Sequence, residues 1–152
     1  MTRSAILAAL AAATIGVVGC GGGDSNKALS YSGFATAANK VCSDATSSTD
    51  KIAAKLNGKA TNDAPVYDDL IPALQSATDK FKKLKPPAAL KVDADKFAGL
   101  VESEVTAAKA AQTAAKTGDD AAYQTAAKAI GPIAKEANLE GSKLGAAECA
   151  KP

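Results

Sequence analysis

The chain contains no histidine and no tryptophan, and only one arginine (Arg3) and one methionine (Met1). Each absence removes a class of chemistry. Without histidine there is no imidazole base that titrates near neutrality. Zinc sites built from His or Cys/His sets are excluded, as is His-ligated haem. Without arginine beyond Arg3, the planar fork that grips phosphate or guanine from two sides is missing. Charge of one sign is also lacking. Lysine and arginine together number 18 against 16 acidic residues, so no strong field recruits nucleic acid. What remains is carboxylates, lysines, hydroxyls, three tyrosines and three cysteines. An enzyme is hard to assemble from that set, and no cofactor or metal is expected.

The one long apolar run lies at the start. Arg3 precedes an almost unbroken stretch from Ala5 to Val18, and Val17-Val18-Gly19-Cys20 closes it with small residues before a glycine run. The stretch is short for a comfortable ~20-residue membrane span, its charge precedes it, and small residues mark a cut; this is the anatomy of a processed signal. The tetrad resembles the bacterial lipobox. That resemblance implies a signal peptide over 1–19 and a mature protein beginning at a lipidated Cys20 on the outer face of the bacterial plasma membrane. The alternatives are an ordinary secretory signal cut near Gly19, or an uncleaved anchor; a twin-arginine route is disfavoured because Arg3 stands alone. Cleavage before Cys20 leaves roughly 130 residues, an ordinary single-domain length.

With Cys20 acylated, Cys42 and Cys149 remain. An even pair outside the cytoplasm reads as a disulfide, here joining the first helix to the C-terminal tail. The closed loop exceeds a hundred residues, for which chain entropy gives a ceiling of ~4–5 kcal/mol. A reactive thiol pair has no Cys-x-x-Cys spacing to support it.

Residues 20–30 are glycine-rich and small-polar, a flexible linker reaching roughly 15–20 Å. Four helical segments are expected over 31–152. The first runs over about 31–56, with Phe34, Ala38, Val41, Ala45, Ile52 and Leu56 on one face and Asn57-Gly58 as the stop. The second carries Tyr67, Leu70, Ile71, Leu74, Ala77, Phe81 and Leu84 on the same period. Asp63 is its expected cap, Pro65 falls in its first turn, and Pro72 should kink it or mark its true start. Pro86-Pro87 opens the third, striped by Leu90, Ala94, Phe97, Val101, Val105, Ala108 and Ala115. Thr117-Gly118-Asp119-Asp120 turns into a fourth that begins near Ala121, bends at Gly131-Pro132 and points Leu139 and Leu144 inward. No segment alternates with period two, so no sheet is expected. Short connections favour an all-α, antiparallel up-down-up-down four-helix bundle. Alanine at many inward positions makes its core thin.

Ser48-x-x-Lys51 and Lys116-Thr117-Gly118 match short motifs of penicillin-binding proteins and β-lactamases, but those folds need far more chain and an S-D-N element that is missing. Asp93, Asp95, Glu102 and Glu104 diverge around one helix, and Asp119-Asp120 offers only two side chains, so both read as solvated rather than as metal sites. The lysines between Lys80 and Lys96 can contact anionic headgroups or wall polymers, or simply form a solvated face balanced by Asp79, Asp93 and Asp95. Phe34, Phe81 and Phe97 are candidates for lining a small apolar ligand pocket, with ordinary core packing as the alternative.

The pattern Tyr31-Ser-Gly-Phe34-Ala-Thr-Ala-Ala-Asn39-Lys-Val41-Cys42 is similar to one near the start of many small helical actinobacterial secreted proteins and lipoproteins. Their C-terminal end often looks like Leu144-Gly145-Ala-Ala-Glu-Cys149. The resemblance implies an envelope-located helical domain with the Cys42–Cys149 bridge, and carries over no functional site. The expectation is therefore a non-enzymatic lipoprotein, tethered to the membrane through Cys20, that meets an envelope protein or wall polymer. The alternative is a carrier or sensor holding a small apolar ligand between its helices.

Overall fold

The computed structural model describes residues 27–151. The expected signal peptide, Cys20 and the linker up to residue 26 lie outside the described residues. Among the described residues every regular element is helical. Helix α1 spans Tyr31–Ala53, α2 Ala60–Lys82, α3 Lys91–Lys116, α4 Asp120–Lys128 and α5 Ile130–Lys143; short 3-10 turns occupy Ala88–Leu90 and Ala147–Ala150.

Local chemistry accounts for most boundaries. The Ser30 hydroxyl accepts the Gly33 N–H at 3.1 Å and starts α1. Helix α1 ends three residues before the expected limit. Its last bonds tighten into Lys55 N–H to Ile52 and Leu56 N–H to Ala53, and Gly58 then adopts φ 84°, a conformation only glycine enters cheaply. Helix α2 begins at Ala60, before both Asp63 and Pro72, and runs on through two prolines. Pro65 and Pro72 are both exposed, so the carbonyls they leave unbonded face the side where water can serve them. The 3-10 turn at Ala88–Leu90 intervenes between Pro86-Pro87 and α3. Asp119 caps α4 by accepting the N–H groups of Ala121 and Ala122. The expected bend at Gly131-Pro132 appears as a break one step earlier, at Ala129. That places Pro132 in the first turn of α5, where a missing N–H costs nothing.

Helix α2 packs on α1 and α3, α3 also packs on α4 and α5, and the C-terminal 3-10 turn packs on α1 and α5. Two apolar clusters result. One joins Phe34 and Ala38 of α1, Phe81 of α2, Phe97 of α3, and Ala137 and Leu144 at the end of α5. The other joins Tyr67, Leu70 and Ile71 of α2 to Val105, Ala108 and Ala111 of α3 and Tyr123 of α4. Alanine permits close helix approach, and one glycine goes further: a Cβ on Gly141 would meet the Cys149 carbonyl oxygen at 2.1 Å. Leu139, expected inward, is 59% exposed; Ala137 and Gly141 fill that face of α5 instead.

Cys42 and Cys149 are bonded, with their Cα atoms 5.1 Å apart across 107 residues of sequence. The bridge ties α1 to the C-terminal turn, as expected from the even pair of cysteines left beside Cys20. Asn39, one turn earlier, accepts the Glu148 N–H at 2.7 Å and holds the same turn.

Candidate functional site

Beside the disulfide, α1, α2, α3 and α5 leave a cleft of about 190 Å³. Its walls are mainly apolar. Val41 and Ala45 come from α1, Leu74 and Ala77 from α2, Phe97 and Val101 from α3, and Ala134 and Ala137 from α5, with Cys42 and Cys149 closing one side. The thin core explains the space. Where four helices meet and most of the apolar contributors are alanine or valine, the side chains do not fill the junction.

The polar groups of the cleft have an unequal distribution of protons. Thr49 donates its hydroxyl proton to the Ala45 carbonyl at 3.0 Å, and Thr78 donates to the Leu74 carbonyl at 2.8 Å. Both hydroxyl oxygens are then left as acceptors. Glu104 brings a carboxyl group from α3. Burial pushes its pKa up to about 7, because the charged form loses hydration in a low-dielectric site. Among the described residues none pairs with this carboxyl. Asp50 and Glu148 add acidic groups and Lys151 a basic one; Lys151 is taken by Glu148 at 2.6 Å.

The sequence placed Glu104 on a solvated acidic face, and the structure corrects this. The signal was present: Phe97, Val101, Glu104 and Ala108 follow a three- and four-residue spacing, so the carboxylate lies on the apolar stripe. The three phenylalanines are brought together, but as packing partners. The Phe34 and Phe81 rings meet edge to face at 6.0 Å, and Phe81 and Phe97 at 4.7 Å. They do not frame one pocket. Phe97 lines the cleft, while Phe34 and Phe81 border a separate hollow of about 260 Å³ beside the Lys82–Glu102 ion pair.

The other constellations are absorbed by structure. Asp63, expected as the cap of the second helix, is fully buried inside its first turns. It accepts the N–H groups of Asn57 and Gly58 at 2.9 and 2.8 Å, and the Tyr123 hydroxyl at 2.7 Å. It thus caps the preceding loop rather than its own helix. Burial, then the bond to Asp63, raises the Tyr123 pKa and keeps the phenol neutral. Asp120 accepts the Ala60 N–H at 2.8 Å, and this bond, with Lys59, holds its pKa down. In the lysine-rich stretch, Lys91 pairs with Asp95 and Lys82 with Glu102. Lys96 reaches the buried Glu140 at 2.6 Å; that bond raises the lysine pKa, and with Lys143 it lowers that of the glutamate. Ser48 and Lys51 stand exposed on α1, while Thr117 donates to the Ala114 carbonyl.

Among the described residues no group of three His, Cys, Asp or Glu side chains can hold a metal ion. No helix of the described residues is long and apolar enough to cross a membrane. Compared with protein families, with curated proteins and with solved structures, the chain matches none.

Proposed function

We propose that this chain is a non-enzymatic lipoprotein of the bacterial cell envelope. In this reading an acyl chain on Cys20 anchors it to the outer face of the plasma membrane, and residues 21–30 space it from the headgroups. The helices then form an antiparallel up-down-up-down bundle, with α4 and α5 together as the fourth member. The observation that carries the address is the pairing of Cys42 with Cys149. It leaves Cys20 as the odd cysteine, directly after the apolar run, and a disulfide of this kind suits an oxidising compartment. The Cys20→Ser variant tests the anchor. Cell fractionation should find it released from the membrane; unchanged membrane retention would contradict the proposal.

Such a module can dock another envelope component or hold a small molecule. The cleft between α1, α2, α3 and α5 favours the second role, a carrier or sensor of a small, largely apolar ligand. A dry apolar cavity of about 150 Å³ holds a benzene-sized guest, and this cleft is slightly larger. Native mass spectrometry of protein extracted from its own membranes tests this: an adduct lost on denaturation supports it, and a bare chain favours the docking role.

A further inference from the structure

We infer that the cleft selects a small cationic amphiphile, a primary amine on a compact apolar body, with the ammonium seated against Glu104 and the body among the alanine and valine side chains. This rests on the ligand-holding reading and names the ligand class. Three observations converge. The half-buried carboxyl of Glu104 lines the cleft without a partner among the described residues, and a carboxylate that has lost part of its hydration gains most from a cation. The hydroxyls of Thr49 and Thr78 have already given their protons to helix carbonyls, so both face the cleft as acceptors, and the Asn138 amide is the one neutral side chain there with donors as well as an acceptor. A ligand whose polar end donates several hydrogen bonds satisfies them; a ligand carboxylate does not. Lastly, the charged groups around the cleft sum to an acidic surface. Asp50 comes from α1, Glu104 from α3, and Glu148 with Lys151 from the C-terminal turn and tail, while α2 and α5 contribute only neutral groups. Lys151 is already paired with Glu148 and offers no competing cation.

The size of the cleft limits the body to about one ring. Glu104, with its pKa raised to about 7, gives the interaction a pH signature. An ammonium beside it favours the carboxylate, so binding at neutral pH releases a fraction of a proton and tightens between about pH 5 and 8.

The test uses 2-phenylethylamine, 2-phenylethanol and phenylacetate, which share a ring and differ in the polar end, titrated calorimetrically into the purified mature domain. The amine should bind about tenfold more tightly than the alcohol, with phenylacetate weakest, and its heat should depend on the buffer's ionisation enthalpy. Glu104→Gln keeps the shape and should bring the amine-to-alcohol ratio to about one. Ala45→Met fills the cleft and should abolish binding of both, with circular dichroism confirming the fold. An amine-to-alcohol ratio near one in the unmodified protein, or tightest binding of phenylacetate, would overturn the ammonium assignment while leaving the ligand-holding reading intact. No binding of any probe at millimolar concentration would overturn both. A tenfold amine preference that survives Ala45→Met would place the site elsewhere and overturn the assignment.

Discussion

Glu104 couples the stability of the domain to pH as well as shaping the cleft. Its folded pKa of about 7 lies above the ordinary carboxylate value of 4.5, so the folded state binds the proton more tightly than the unfolded chain. The resulting stabilisation is full below about pH 4.5 and is lost as pH rises through 7. At about 1.4 kcal/mol per pH unit, the displacement from 4.5 to about 7 gives a loss on the order of 3–4 kcal/mol. Denaturant titrations should therefore find Glu104→Gln more stable than the parent at pH 8 and equal to it near pH 4. Equal stability at both pH values would show that the carboxyl is hydrated. The Asp63 knot yields a second prediction. Tyr123→Phe should cost about 1–2 kcal/mol, and Asp63→Ala more, because it orphans two loop N–H groups as well as the phenol. Sequence alone pointed to Asp63 as a helix-start residue but not to what it holds. Asn57 and Gly58 lie near it in the chain, yet Tyr123 is 60 residues away, and no local pattern announces that contact.

Helix boundaries were the most legible part of the fold because their causes are local. Gly58, Pro86-Pro87, Gly118 and Asp119 each act within a few residues of themselves, and all mark real ends. At Leu139 the deciding contact is distant. Leu139 obeys the helical period but faces solvent, since the close approach of Cys149 demands Gly141 on the buried side. Two glycines in helices separate packing from propensity. Gly141→Ala puts a methyl 2.1 Å from the Cys149 carbonyl oxygen and should lower stability by about 1–3 kcal/mol through forced displacement of the C-terminal turn. Gly99→Ala, in the interior of α3 with nothing within 4 Å of the new atom, should raise it by about 0.5–1 kcal/mol. Thermal melts of the two variants check both, and destabilisation by Gly99→Ala would mean that helix propensity is not what limits α3.

At the scale of the whole molecule, the disulfide closes 107 residues of chain around a core rich in alanine. Chain entropy sets its contribution at no more than ~4–5 kcal/mol, a large share of the stability of a domain with few large buried side chains. Cys42→Ala and chemical reduction should therefore lower the melting temperature by similar amounts; if neither moves it, the bridge does not support the fold. The pairing itself was legible from cysteine count and compartment. The cleft was not, because it arises where small side chains from four helices fail to fill a junction, a property of their packing rather than of any one segment. The lipoprotein assignment is tested most directly by intact-mass measurement of the protein extracted from its own membranes. It predicts a chain that begins at Cys20, carries acyl groups there, and is two hydrogens lighter than its reduced form. A chain that keeps residues 1–19, or begins elsewhere without a lipid, would contradict it.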